Sequence, residues 1–600
     1  MRCNTRLAQG LRPGLLSDVP SGLRTSASGR ARPVTHAVDP RGISYATPCG
    51  THGTTDPPPV TIPLTELAMA RCLHLIALTL LVLVAFGRTK AAPPPLAELP
   101  GPLVIAGGGK LPDDVRDAFF ALAGKEKAKI VVIPTASAEA DDPAKTDTFL
   151  KPWLALKPAS VVVLHTRDRK VADGPDVAKP LADATGVWFS GGDQARLVAA
   201  YRGTHVEDEL RKLHARGGVI GGTSAGAAVM SDPMIEGGTD IAKVGQGFGF
   251  LPGVVVDQHF VARNRLIRLQ GAIADNPGSV GLGIEEDTAV IVRGRNLRVI
   301  GKGTVTVCLA KGAGKPELVQ PGKSGTLLDL FQLRRAAANR AAKEPFPPQT
   351  PAPPVVEKGS LVIVGGGGAG PEIWKTFIEL AGGPDAPIVM IPSALEDPLP
   401  PNIGEVAALK RFGAKSIEVL HTRSRKEADD PAFSAILTKA KGVWFGGGRQ
   451  WRFVDSYEGT LTEKRIHEVL ARGGVIGGSS AGASIQSEFM PRGHPLGNTV
   501  MAAEGYERGF GFLPGCAVDQ HFFARKRTAD MTGLMKLYPQ YLGIGIDEGT
   551  AIVVKGSTAE VIGKTKVAFY DTRKKPEDGI DYEEVKTGGK YDLKERKKLE

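Results

Sequence analysis

Short apolar runs that end in glycine or proline alternate along this chain with stretches in which apolar residues recur every three or four positions. The runs at 103–106, 130–133, 160–164, 186–189 and 219–220 are too short for helices and rich in β-branched residues, so they read as strands buried on both faces. The stretches between them, 115–123 among them, carry the period of a helix with one apolar face. Strands alternating with helices predict an α/β fold in three layers, with a mainly parallel sheet covered on both sides. The pattern then returns step for step, at 361–364, 388–391, 442–445 and 475–476. A chain of 600 residues exceeds what one core usually serves, and the repeat predicts two tandem domains, 99–312 and 358–572. Proline-rich ends around a helical, basic 327–342 predict a linker over 313–357, and the charged residues 573–600 predict a loose tail.

Each repeat carries Gly-x-Ser-x-Gly between a strand-like run and an Ala-rich segment, at Ser224 and again at Ser480. Glycines on either side let the backbone take a sharp strand-to-helix turn, which exposes the hydroxyl at a helix N-terminus. A serine hydroxyl needs a base, and the base needs an orienting acid. His259 and His521 stand in identical Asp-Gln-His-Phe contexts at strand ends, and Glu286 and Glu548 each follow their histidine by 27 residues. The serines are 256 apart and the histidines 262, so the second copy gains six residues between them. His165 and His421 also recur, in Leu-His-Thr-Arg without a neighbouring acid, and read as structural or secondary. The Gly-Gly-Gly after the first strand lacks the Gly-x-Gly-x-x-Gly and Gly-Lys-Ser/Thr patterns, which argues against a nucleotide site.

The formal charge of +11 changes little. Residues 1–90 hold ten Lys or Arg against four acids, and neither domain shows a basic block interleaved with aromatics, so nucleic acid is not the expected partner. The five cysteines show no CxxC spacing and do not pair between the repeats, and no metal site is expected. Residues 1–68 are rich in Gly, Pro, Ser, Thr and Arg, and read as disordered or as an extension upstream of a true start at Met69. The apolar run at 73–86 follows Arg71 and precedes small residues, which suits a signal-peptide core within 69–91 and export from the cytoplasm; a single membrane anchor is the other reading.

Three separated motifs in order, Gly-Thr-Ser-Ala-Gly-Ala, Asp-Gln-His-Phe with the arginines after it, and Gly-Ile-Glu-Glu-Asp-Thr-Ala, resemble the cyanophycinase family of serine peptidases, which also includes α-aspartyl dipeptidase. The resemblance spans each repeat. It implies a flavodoxin-like domain related to class I glutamine amidotransferases, a Ser-His-Glu triad at Ser224, His259 and Glu286 and at Ser480, His521 and Glu548, and no cofactor. It also implies cleavage of an Asp-backbone polymer bearing Arg side chains to β-aspartyl-arginine. The family's pocket residues correspond to Asp257, Gln258, Arg263, Arg265 and Arg268, with Gln194 nearby, and in the second copy to Gln450, Asp519, Gln520, Arg525 and Arg527. Guanidinium forks suit the free α-carboxylate of a β-linked aspartyl unit. The amide of Ala225, with that of Gly191 or Gly192, is the expected oxyanion hole. In the second copy Asp530 stands where the first has Arg268, and Arg449 where it has Asp193, so a weaker or altered second site is expected. A dipeptidase on short acidic peptides and a non-catalytic polymer-binding protein remain open alternatives.

Overall fold

Each repeat builds its main sheet around the strand predicted from its first apolar run. The computed structural model describes residues 98–600 except 313 and 345, so the signal-like run and everything before it lie outside the described residues. In the first repeat Leu103–Ala106 sits between Val219–Thr223, its parallel neighbour, and Thr288–Arg293, its antiparallel one. Gly186–Phe189, Lys129–Ile133 and Ser160–Val163 continue the parallel side, and Asn296–Gly301 and Leu327–Asp329 the antiparallel side, for eight strands in all. Four of the five parallel strands are buried by helices on both faces, which explains their apolar runs; Ser160–Val163, at the edge, stays partly exposed, against the expectation that it is buried. The second repeat has the same order around Val356–Val364, in a sheet of nine.

A smaller sheet completes each repeat and carries the histidine and the acid. Val254–Gln258 runs parallel to Val280–Ile284, and Thr304–Leu309 and Leu318–Lys323 extend it antiparallel. Its second counterpart centres on Leu513–Asp519 and Leu542–Ile546. The sequence puts the histidine at a strand end; the structure shows that this strand belongs to a different sheet from the serine's, and that the two sheets meet at their carboxyl ends.

The linker and tail expectations are corrected. Leu318–Lys323 and Leu327–Asp329 are strands of the first repeat, and helix Leu330–Ala341 packs Leu330, Leu333, Ala336 and Ala337 into its core. An edge strand tolerates Pro321 and solvated polar residues, so it leaves no apolar run to read. The tail likewise supplies three strands, Glu583–Lys586, Lys590–Asp592 and Lys597–Leu599, whose charged residues flank a buried Tyr591 stacked 4.0 Å from Phe569.

Helix Leu330–Ala341 also joins the repeats. Its Arg340 pairs with Glu504, and its Arg335 reaches Glu458 and the carbonyl of Gly505. Arg295 bonds Asp455 and the hydroxyl of Tyr506, and Lys315 bonds Glu507. Cations of the first repeat thus meet acids of the second across a partly buried contact, where unpaired charges would be costly.

Candidate active site

Ser224 closes the strand Val219–Thr223 in a backbone conformation that side chains rarely adopt, φ 54° and ψ −112°, and Ser480 repeats it at 56° and −110°. Such a turn costs on the order of 1–3 kcal/mol and persists only where its surroundings enforce it. Enforcement comes from close packing: a Cβ on Gly222 would stand 2.5 Å from the carbonyl oxygen of Gly226, and one on Gly226 2.3 Å from that of Phe189. The short helix Ala225–Ala228 then begins directly after the hydroxyl.

Ser224 Oγ lies 2.9 Å from His259 Nε2, and His259 Nδ1 lies 2.6 Å from Glu286 Oε1. In the second repeat the corresponding distances are 2.9 Å from Ser480 to His521 and 2.5 Å from His521 to Glu548. A hydroxyl on one ring nitrogen and a carboxylate on the other is the arrangement in which imidazole takes a proton from serine while the acid holds its tautomer and charge. Both glutamates keep 40% of their side chains exposed, whereas the histidines are buried. Burial holds the imidazole of His521 below its ordinary value; Arg525 and Arg527 push the same way, against Glu548.

The glycine loop after the first strand, unassigned from sequence, holds the three turns together. Consecutive carbonyls of Ala106, Gly107 and Gly108 accept the amides of Ser224 at 3.0 Å, His259 at 2.7 Å and Asp287 at 3.0 Å. Val364, Gly365 and Gly366 do the same for Ser480, His521 and Gly549. Gly108 has φ 114°, and a Cβ there would stand 2.3 Å from Cε1 of His259. Gly366 faces His521 at 2.4 Å. Only glycine lets the loop pass under the imidazole. Glu285 adds support by accepting the amides of Val261 and Ala262 behind the histidine, as Asp547 does for Phe523 and Ala524.

The expected pocket residues divide into a sealed set and an open one. Asp257 is 0% and Arg268 3% exposed, and they are bonded to each other, so the expectation that they touch substrate gives way to a supporting place behind the site. Gln194 donates to the carbonyls of Ile235 and Glu236 in the strand Met234–Gly237, and Gln450 to those of Pro491 and Arg492 in a loop, so each fixes a neighbouring segment. Asp519 is sealed like Asp257. Arg265 donates to the carbonyl and side-chain oxygens of Gln258 while remaining 14% exposed, and Arg527 makes the same contacts with Gln520. Arg263 and Arg525 are exposed.

The predicted loss of a cation at Asp530 is also corrected. Arg492, in the stretch between serine and histidine where the second copy gains residues, bonds Asp519 through Nε at 3.0 Å, the carbonyl of Asn498 at 3.0 Å and Asp530 at 2.7 Å. Arg268 likewise bonds Asp257 and a loop carbonyl, that of Gly238. A buried aspartate requires a cation, and the two repeats supply it from opposite sides. Arg449 is structural too: it donates to the carbonyls of His494 and Gly497, whereas Asp193 caps the helix Gln194–Tyr201.

His165 and His421 do have acids beside them, close in space and 24 residues distant in sequence. His165 Nε2 is 2.9 Å from Asp141 and its Nδ1 2.9 Å from Thr135, which bonds Tyr201; His421, Asp397, Ser393 and Tyr457 repeat the network. Arg167 and Arg423 tie it to the carbonyls at 135, 137, 393 and 395, beside the loop on which Gly192 and Gly448 rest. Gly191 lies against the serine, 3.4 Å from a built Cβ to that of Ser224. Among the described residues no cluster of three or more His, Cys, Asp or Glu is placed to hold a metal ion.

A model of peptidase family S51 matches the chain twice, over residues 103–300 and 361–562. A cyanophycinase of Trichormus variabilis is 39% identical over 205 residues, 32% of this chain and 67% of the relative. One of Synechococcus elongatus is 39% identical over 219 residues, 34% of this chain and 67% of the relative. A crystal structure of a peptidase from an acI-B1 Actinobacterium is 25% identical and covers 39% of this chain and 98% of its own, with a TM-score of 0.32. The two matched regions are the two repeats, each with its serine, histidine and glutamate, and the chain belongs to peptidase family S51 as a serine-type peptidase with two copies of the family's domain in tandem.

Proposed function

We propose that both repeats hydrolyse a cyanophycin-like polymer, an aspartate backbone bearing arginine side chains, to β-aspartyl-arginine units through Ser-His-Glu triads, and that the protein acts outside the cytoplasm. The observation that carries this reading is the relay from Ser224 through His259 to Glu286, repeated within 0.1 Å at Ser480, His521 and Glu548. Serine attacks the scissile carbonyl as histidine takes its proton. The amide of Ala225, with that of Gly191, stabilises the oxyanion. Histidine then protonates the departing amine and activates the water that releases the acyl group. The exposed Arg263 and partly exposed Arg265 are suited to a substrate carboxylate. Export rests on the apolar run at 73–86.

The test is clearing of insoluble cyanophycin by the full chain, by Ser224→Ala, by Ser480→Ala and by the double variant. Each single variant should lose its own site's share, and the double variant should fall by several orders of magnitude. Turnover of dipeptides without clearing would make it a dipeptidase; polymer retention without release of amines would make it a binding protein. N-terminal sequencing that finds Met1 or Met69 on the active protein would remove the claim of export.

A further inference from the structure

In the second repeat a carboxylate occupies the amide expected to stabilise the oxyanion. Glu405 Oε1 accepts the amide of Gly447 at 3.1 Å, and a Cβ on Gly447 would stand 3.7 Å from that of Ser480. Gly447 is the counterpart of Gly191. Glu405 belongs to the helix Gly404–Arg411 and lines a cavity of about 320 Å³ with Trp374, Gly368, Ala408 and Ser479, the residue before the nucleophile. The same wall differs in the first repeat. Phe149 holds the position of Glu405, counting from the matched His165–Asp141 and His421–Asp397 pairs, and Arg116 that of Trp374, counting from Phe119 and Phe377 on the same glycine contacts. Lys110 holds the position of Gly368. By position, then, the first repeat carries Lys110, an Arg116 paired with Asp113, and a phenyl ring where the second carries Gly368, an indole and a carboxylate.

We propose that the second site is selective for a guanidinium-bearing residue beside the scissile bond, which enters the cavity bordered by the buried Trp374, pairs with Glu405 and so releases the Gly447 amide for the oxyanion. A guanidinium fork matches a carboxylate in geometry as well as charge. Without it, the carboxylate both blocks the amide and repels the developing negative charge. The reaction remains ordinary amide hydrolysis: water adds across the bond, leaving a carboxylate and an amine. This inference rests on Ser480 being a nucleophile.

The experiment uses the full Ser224→Ala chain with two oligomers of β-linked aspartate, one bearing arginine and the other its neutral isostere citrulline. The arginine oligomer should have a kcat/KM roughly tenfold or more above the citrulline one, the worth of one charge-assisted hydrogen bond. Glu405→Gln should shrink that ratio to within about threefold. Installing Phe149→Glu in the Ser480→Ala chain should raise the first site's ratio. An unchanged ratio in Glu405→Gln, or none to begin with, overturns the inference. If the Ser224→Ala chain turns over neither oligomer, the nucleophile assignment has failed; calorimetry of acetyl-arginine amide against acetyl-citrulline amide on the Ser224→Ala/Ser480→Ala chain then decides. Arginine binding lost in Glu405→Gln sustains the cation site, and binding that is absent or indifferent to Glu405 removes it.

Discussion

Replacing Gly108 by alanine perturbs the site without replacing any of the three side chains of the Ser224–His259–Glu286 relay. The new methyl would lie 2.3 Å from Cε1 and 2.4 Å from Nε2 of His259, at φ 114°. Carbon atoms pack at about 3.5 Å or more, so the ring must retreat by roughly 1 Å or the loop must rise by as much. The loop cannot rise freely, because the carbonyls of Ala106, Gly107 and Gly108 hold the turns of Ser224, His259 and Asp287. A retreat of about 1 Å takes the 2.9 Å contact between Ser224 and His259 beyond hydrogen-bond range. General-base catalysis is worth about two to four decades, so kcat/KM of the first site should fall by about 10²–10⁴, or roughly 3–5 kcal/mol. The backbone contributes a stability cost of about 1–2 kcal/mol. Gly217→Ala separates the two effects: its φ is 89° with nothing within 4 Å of the built Cβ, so it should lose stability alone. The assay is polymer hydrolysis in the Ser480→Ala chain, with urea unfolding alongside. Gly108→Ala activity within threefold of its parent, or an equal activity loss in Gly217→Ala, would refute the argument that glycine is there for the imidazole.

Three further outcomes follow from named contacts. Arg492→Ala should destabilise the second repeat by about 3 kcal/mol, the low end for a broken buried pair because Arg527 still reaches Asp519, while Asp530→Ala, half exposed, should cost under about 1 kcal/mol; equal costs in urea unfolding would contradict the swap. In the Ser224→Ala chain the acid limb of kcat/KM should lie below 6.5, because burial, Arg525 and Arg527 lower the His521 value, and Arg525→Gln should move that limb upward; a limb at or above 6.5 would reverse the sign. The same shift means that the unfolded chain binds this proton more readily, so the histidine's contribution to stability declines as pH falls below 6.5. Arg340→Ala should weaken the junction of the repeats by about 3 kcal/mol, read as separation of one thermal transition into two; an unchanged single transition would show that Glu504 is adequately held by Lys315.

What the sequence alone determined was local or repeated. The central strands of four or five apolar residues were legible because both of their faces are buried, and the elbow because Gly-x-Ser-x-Gly dictates its own backbone. His259 and Glu286 stood out because the second copy repeats their spacing. The edge strands 318–323 and 583–586 were not legible, since one solvated face leaves no apolar run, and charge in the tail resembled disorder. Only the tertiary structure decided how distant residues meet. Asp141 is 24 residues from His165 and 2.9 Å away, a pairing that no spacing rule reports. Arg492 supplies from one loop the cation that Arg268 supplies from a helix, so aligned positions showed a lost charge where the folded chain had moved it. Glu405 reaches the Gly447 amide because it stands in the first turn of a helix whose Leu409 packs against the sheet, and Gly108 is glycine because the imidazole of a second sheet lies upon it. Periodicity and short motifs record what a residue's own segment needs; charge pairing, clashes and the approach of two sheets depend on distances that exist only once the chain has folded.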